Sequence, residues 1–392
     1  MAINLSRNTR LWVSTVDTGN NNSNTFEIPI QEGYSLGQAV SSSDISVNEA
    51  GPVPIRGSKR FNDSLEPVEW SFSTYINPYV GLTDASSKIM LVDMIMWQAL
   101  AVKRGEVIDF EDATKPLHGD TDTFNISFTK NSGHVMTELF LFFKIDNTFY
   151  KVSKAQVSSA EIGIDIEDIA MVSWSGQATQ IETLASAPAW VATAVAAGYN
   201  SAGVLAGYVP IPSTKKYILN KLTTMTLNAP EISIGGTVAN SHYNIPLTGA
   251  SVSINNNITF VTPNTLSEVD IPIGSFTGAF EVTGSLDAYL RTGTGDGTSA
   301  NMYNSADLLA HMTRTAGLAK VTNASSITIN IGGVELGQPA FVIKMPTAHL
   351  AVPNFSIEDV VSTSIEFKAV TANADLQSGA EISLEAHAVR AA

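Results

Sequence analysis

At 392 residues, 44% of them hydrophobic, the chain is long enough to bury two cores of ordinary domain size. It has no cysteine, which excludes a disulfide scaffold, a thiolate metal site and a cysteine nucleophile. Its net charge of −15 is shared, with 13 basic and 23 acidic side chains in residues 1–182 (−10) and 9 and 14 in residues 183–392 (−5), so neither half has the basic footprint of a protein that grips nucleic acid.

Taken in chain order, Met1–Arg7 lacks a charged segment followed by an apolar one, so no signal peptide is expected and folding in a cytoplasm is. A strand follows at Leu11-Trp12-Val13. Residues 41–65 read as one long irregular loop with two prolines, two glycines and mixed charge (Asp44, Glu49, Arg56, Lys59, Arg60, Asp63), and loops of that length in compact domains tend to be functional. Period-two alternation then predicts a strand over Glu69–Ile76. Ser87–Arg104 carries apolar residues at helical spacing (Met90, Met94, Trp97, Ala101) and predicts an amphipathic helix packed on a sheet. Its apolar run from Ile89 to Val102, broken by Asp93 and Gln98, falls short of the roughly 20 residues of a membrane helix. No membrane span is expected.

Further strands are predicted at Phe124–Phe128, Glu138–Ile145, Val172–Trp174, Val252–Phe260, Phe280–Leu286, Ile327–Ile331, Phe341–Lys344 and Ile365–Ala369, with a second helix at Ser305–Thr315. The sum is a mainly β protein of sandwich or barrel type. Residues 183–216 read as a linker, because Leu184–Ser213 is rich in Ala, Gly, Ser and Pro. Its run Ala189–Ala196 is too apolar for a solvated tether and is expected to lie against one or both domains.

Landmarks of the first 182 residues recur in order in residues 217–392. Asn8 before Leu11-Trp12-Val13 is matched by Asn220 before Leu222 and Met225, and Trp70–Ile76 by Phe280–Leu286 at an offset of 210. Asp93–Trp97 is matched by Asp307–His311, and Ile166-Glu167-Asp168-Ile169 by Ile357-Glu358-Asp359-Val360. The expectation is two tandem, duplicated β domains, each with one flanking helix: 1–182 and 217–392. The counterpart of the long loop, Thr262–Gly274, is much shorter.

Catalytic and metal-binding patterns are sparse. The six histidines (His118, His134, His242, His311, His349, His387) show no paired ligand spacing. Gly293–Gly297 lacks both dinucleotide and phosphate-loop spacing and reads as a flexible loop. Asp165, Glu167 and Asp168 form a carboxylate group better read as a solvated turn than as a site. No cofactor and no catalytic residue are expected.

Several segments closely resemble the major tail-tube proteins of T-five-like siphophages: SRNTRLWVSTV (6–16), NEAGP (48–52), RGSKRFNDSL (56–65), EWSFSTYI (69–76), DIEDI (165–169), INNNITF (254–260), IPIGSFTGAFEVTGSL (271–286) and SIEFKA (364–369). The resemblance implies a structural virion subunit and no enzyme. It implies tandem tail-tube domains, trimeric rings of pseudo-sixfold symmetry and a stacked tube that conducts double-stranded DNA without specific binding. The implied partners are further copies of the chain, a tape-measure protein, and tail terminator and tail-tip proteins, with no membrane. The long loop with Asp44, Glu49, Arg56, Lys59, Arg60 and Asp63 is implied as an inter-ring or inter-subunit contact. Asp165, Glu167, Glu358 and Asp359 are candidates to face an acidic lumen, where like charge lets DNA pass. Some relatives carry an added immunoglobulin-like domain that this chain is not expected to have. The main alternative is a tandem carbohydrate-binding or baseplate adhesion module, which would need exposed aromatics in a groove; a hydrolase would need a convergent acid–base pair.

Overall fold

The computed structural model describes residues 6–19, 24–45, 59–83, 86–105, 114–128, 135–192, 207–234, 237–262, 271–291, 302–306, 308, 325–352, 354–357, 361–371 and 381–389. It is mainly β. The first half contains β1 (Thr9–Ser14), β2 (Thr25–Ile28), β3 (Ser35–Ile45), β4 (Lys59–Tyr75), β5 (Pro78–Thr83), β6 (Ser86–Leu91), α1 (Met94–Ala101), β7 (Leu117–Gly119), β8 (Phe124–Ser127), β9 (Leu139–Ile145), β10 (Thr148–Asp165), β11 (Met171–Ala178) and β12 (Gln180–Leu184). The second contains β13 (Thr224–Ile234), β14 (Thr237–Asn244), β15 (Leu247–Asn255), β16 (Ile258–Val261), β17 (Gly274–Thr277), β18 (Glu281–Tyr289), β19 (Met302–Tyr303), β20 (Ser325–Ile331), β21 (Ala340–Leu350), β22 (Asn354–Ile357), β23 (Val361–Ala369) and β24 (Ser383–His387).

Alternation sets which side of each strand is buried. In β4, Val68, Trp70, Phe72 and Thr74 are buried while Glu69, Ser71, Ser73 and Tyr75 lie on the other face. The same holds in β11, where Val172 and Trp174 point in and Ser173 and Ser175 point out.

Pairing joins most of these strands into two sheets in each half, with β5–β6 and β16–β17 as separate two-stranded ladders. In the first half one sheet runs β2–β1–β9–β10–β12 and the other β3–β4–β11–β10, so that β10 belongs to both. β10 passes between them through register shifts at Val152/Ala155 and Val157/Ser159, with Lys154 at a φ of 53°. The second half pairs as β14–β13–β20–β21–β24 and β15–β18–β23–β22, with β21 also meeting β23. Strand for strand the two pairing orders match. With Trp174 set against Phe367, their ladder partners are Phe72 and Gly284, an offset of 212 rather than the 210 read from sequence. A slip of two residues leaves every side chain on its expected face.

Two seams join the halves. Ser159–Asp165 of β10 pairs with Gly249–Asn255 of β15, giving one eight-stranded sheet, β3–β4–β11–β10–β15–β18–β23–β22. In the other layer β8 pairs with β24. Between the layers lies one continuous apolar core, and α1 sits inside it with all eight residues buried. Trp97 of α1 meets Trp174 of β11 edge-on at 4.8 Å and Phe341 of β21 at 5.9 Å, tying the halves together through the helix.

Two expectations change here, and a third is described only in part. Ser86–Leu91 is a strand hydrogen-bonded to β5, so the helix starts only at Met94, and it is buried all round rather than amphipathic. Of the second predicted helix, Ser305, Ala306 and Leu308 are helical and the rest lies outside the described residues. Residues 41–45 and 59–65, read as irregular, extend β3 and β4 into a paired arm; residues 46–58 lie outside the described residues.

The linker run at Ala189 does lie against the first half. Trp190 stacks edge-on against Trp12 (5.9 Å), Phe142 (5.2 Å) and Tyr208 (6.2 Å), and its indole N–H donates to the Thr18 carbonyl at 2.8 Å. Arg10 lies over the Trp12 ring at 4.8 Å and bonds Glu27 and Tyr208. Truncating the 3%-exposed Trp190 is expected to leave a cavity and cost about 3–5 kcal/mol. Denaturant titration of Trp190→Ala tests this.

Asp93, just before α1, is fully buried and accepts the Thr74 hydroxyl at 3.2 Å; the Trp174 N–H in turn donates to Thr74 at 2.9 Å. Burial pushes its carboxyl up to about 7, against the pull of its own backbone N–H and Thr74. An acid whose folded pKa is raised contributes stability below its unfolded pKa near 3.8 and loses it as pH rises through about 7. Asp93→Asn, which mimics the protonated form, should therefore raise the melting temperature at pH 8 and change it little at pH 4. Melting curves at both values check the sign.

Candidate functional site

The face of the eight-stranded sheet turned away from the core is the site to which the strand order gives most area. It is paved with small hydroxyls. Ser35 and Ser71 bond each other across β3 and β4 at 2.8 Å, Ser73 and Ser173 across β4 and β11 at 3.0 Å, Ser175 and Ser159 across β11 and β10 at 2.6 Å, and Ser251 and Ser285 across β15 and β18 at 3.0 Å. Each pair joins residues that are direct ladder partners. Such pairs satisfy one another without large side chains and add about 0.2–1 kcal/mol each to the sheet.

Charge on this face is almost all negative. Among the described residues, Glu69, Glu161, Asp165, Glu281, Asp287 and Glu366 occupy outward positions on its core strands, against one cation, Lys368. Lys368 bonds Glu281 at 2.7 Å across β18 and β23, and that hydrogen bond and the ammonium charge hold the Glu281 carboxyl below its usual range. The core side of the same sheet is closely fitted. A Cβ on Gly176 would overlap the Trp70 ring and the Gln156 carbonyl, and one on Gly284 would overlap the Phe367 ring and the Ser251 carbonyl.

Of the acidic candidates, Asp165 lies on this face at the end of β10, and Glu167 is exposed in the turn that follows. Glu358 and Asp359 lie outside the described residues. The serines and the other five carboxylates were missed by sequence reading. Their signal was present in the alternation of serine with apolar residues in Trp70–Tyr75, Met171–Gly176 and Ala250–Ser253.

In the arm, Asp44 and Arg60 form a two-pronged pair across the strands, at 2.7 and 2.9 Å; the Arg60 hydrogen bond lowers the Asp44 pKa. Asp63 accepts the Ser43 hydroxyl at 2.5 Å, and the Lys59 ammonium lies 5.3 Å from the Phe61 ring. Much of the arm's polar chemistry is thus satisfied within the arm, while Val40, Ile45 and Phe61 stand out, each more than 40% exposed. Glu49 and Arg56 lie outside the described residues.

All five tryptophans are buried, so none offers the stacking platform of a carbohydrate groove. A cleft of about 730 Å³ near Thr15 and Lys154 is lined by two ion pairs, Arg104 with Glu138 at 3.1 Å and Lys151 with Asp17 at 2.5 Å, and by Lys154 and Glu182. Among the described residues no three His, Cys, Asp or Glu side chains are placed to hold a metal ion, and no helix is long and apolar enough to cross a membrane.

No protein-family model matches the chain. It is 41% identical over 377 residues to the tail tube protein pb6 of Escherichia phage T5, an alignment that covers 96% of this chain and 74% of that one. The resemblance seen in separate segments thus extends over nearly the whole sequence, and the chain belongs to the T5-like tail tube proteins.

Proposed function

We propose that three chains close head to tail into a ring through the two edges of the eight-stranded sheet, and that the rings stack into a hollow tube conducting double-stranded DNA from capsid to host. The β10–β15 seam carries this reading. In pairing order β15 holds the place in the second half that β3 holds in the first, and β22 the place of the outer half of β10. If the halves are duplicates, the seam within one chain is the template for a seam between chains, β22 against β3 of the next. Such a contact would cover both open edges, whose unpaired backbone groups otherwise invite aggregation. Burial favours the same partner. On β15, Val252 and Ile254 are fully buried at the seam, whereas Tyr34 and Leu36, at the corresponding places on and beside β3, are only partly so.

The sheet's two faces then have different fates. Three chains supply about 24 strands, which at roughly 4.8 Å spacing and before any tilt give a ring of about 18 Å backbone radius. Such a ring leaves room for a duplex but not for three apolar cores, so the core side faces out and the serine and carboxylate face lines the bore. An anionic wall with one paired cation gains nothing from counterion release and so does not hold the phosphate backbone. Asp165 lines the bore in this reading, with Glu167 at its rim. Arms from one ring would meet the next in a contact that repeats without closing, which makes a filament. Tape-measure, terminator and tail-tip proteins are the expected partners at its interior and ends, and the virion tail its place.

Negative-stain microscopy of the purified chain, with sedimentation at rising concentration, tests this. Hollow tubes with threefold end views and six lobes are the expected result. Six chains per ring would overturn the inference that one chain fills two positions, and a persistent monomer in the presence of a tail-tip initiator would overturn the tube.

A further inference from the structure

Most of the large apolar side chains left exposed among the described residues stand at the two opposite ends of the sheet strands. One is the arm end. There β3 and β4 carry Ile45 and Phe61, and the β16–β17 hairpin, which continues β15 and β18 toward the same end, carries Val261, Ile273 and Phe276. The other end is marked by Tyr75, the last residue of β4, and its partner Met171, the first of β11. Tyr217 packs edge-on against Tyr75 at 5.7 Å, and Leu219 bridges Ile169 in the β10–β11 turn. The β20–β21 turn lies beside Leu222, since a Cβ on Gly333 would meet the Leu222 carbonyl at 2.7 Å. Tyr217, Leu219, Leu222, Ile166, Val334 and Leu336 thus form an exposed apolar collar at this end.

Among the described residues, a free arm and a collar each occur once per chain. The ladder pair Val40–Leu65 of the arm holds the place of Ile258–Thr277, at the same spacing from the matched pairs Leu36–Trp70 and Ile254–Val282. Yet the second hairpin is folded down on the first half. Ile258 is 8% exposed and packs with Phe260 and Met136, the Asn256 side chain donates to the Leu100 carbonyl at 2.9 Å, and the Ser275 hydroxyl donates to Gln156 at 2.7 Å. Val40 is 45% exposed, and β3 beyond it is exposed almost throughout. At the other end, Asp146 and Asn147 join β9 to β10, whereas the turn from β20 to β21 holds Val334 and Leu336. The 3-10 turn of the first half, Ser6–Asn8, ends on Asn8 where that of the second, Asn220–Leu222, ends on Leu222.

We infer that the β3–β4 arm of one chain, through Ile45 and Phe61, seats on the apolar collar of a second copy in the next ring. The inference rests on the stacked-ring reading and deepens it by naming the receiving surface and its chemistry. Arm and collar lie at opposite ends of the same strands, so a head-to-tail stack brings one against the other at every step, and neither covers the other within its own chain. Charge is not what joins them. Asp44 pairs with Arg60 and Asp63 holds the Ser43 hydroxyl, which leaves the apolar side chains as the surface that gains by leaving water. With one arm and one collar per chain, successive rings are set in whole-chain steps although the two halves of each chain are alike.

The absence of native cysteines allows a direct test. Phe61→Cys with Leu219→Cys, or with Leu336→Cys, bridged by a bismaleimide after assembly, should give a ladder of covalent species that runs past three chains on a denaturing gel, because each link crosses to a further ring. Gly37→Cys with His349→Cys reports the ring itself and should stop at three. Gly37 holds the place of Asn255, and His349, through its partner Lys368, that of Ser159, which pair in the internal seam. Leu219→Asp should raise the concentration needed for tubes by about tenfold or more with an unchanged melting temperature, and Phe61→Ser added to it should cost little more, since both remove one contact. Stacking should also weaken on cooling and survive high sodium chloride, the reverse of an ionic contact. Species up to three chains from the 37–349 pair, with only monomer from both arm–collar pairs, would overturn the collar and leave the ring standing. Monomer from every pair, with no tubes formed, would overturn the ring.

Discussion

A single strand, β10, sets the constraint from which the rest of the molecule follows. Over eighteen residues it must keep its backbone groups paired while passing from one sheet to the other, and it does so against β9 and β12 at its start and β11 and β15 at its end. Two register shifts and the left-handed Lys154 absorb the change of direction. One consequence is a sandwich closed at that corner. Another is that the first half presents its edge to β15, so its sheet continues into the second half. Had β10 ended at its bend, each half would have kept its own open edge.

The continuous sheet then divides labour by residue parity. Along β4, β11, β15 and β18 one set of alternate residues supplies Trp70, Phe72, Trp174, Ile254 and Leu286 to the core, and the other supplies hydroxyls and carboxylates to the opposite face. Because the period is two, neither set can be shifted without moving the other. Aromatic rings on the core side lie over Gly176 and Gly284, positions where a larger residue would push the ring outward and distort the ladder. Packing on the buried side and smoothness on the exposed side are therefore one design. In the tube proposed above this matters, since a bulge toward the proposed bore would narrow it.

Legibility in sequence followed how cleanly the alternation was written. Strands such as Glu69–Ile76 and Ile365–Ala369 lie where the pattern put them, because each buries one face without interruption; Glu138–Ile145 lies there too, although Leu139–Phe143 is buried on both faces. The pattern of β10 is cut by its two shifts, which destroy a period-two signal while leaving the strand intact. Residues 87–104 misled for the opposite reason: Ile89–Leu91 of β6 and the whole of α1 are buried and read as one apolar run, and that composition does not separate a strand from a helix. Arm residues such as Ser42, Asn62 and Asp63 are polar on both faces, so no periodicity marked them as paired. Carboxylates drew attention as candidate lining, while the serines that cover more of the face did not, because a serine alone carries little chemical signal.

Comparison between the halves supplies what a single chain leaves out. Where corresponding residues sit in the same local structure but differ in burial, the difference measures a missing neighbour rather than a difference in folding. Ile254 is buried because β10 covers it, and Leu36, with the same neighbours on its own side, lacks such a cover. This contrast lies at the β3 edge of the sheet, the side on which the proposed neighbour would stand. A chain that holds one complete seam inside itself and leaves β3 and β22 at the two ends of its sheet has the geometry of a link.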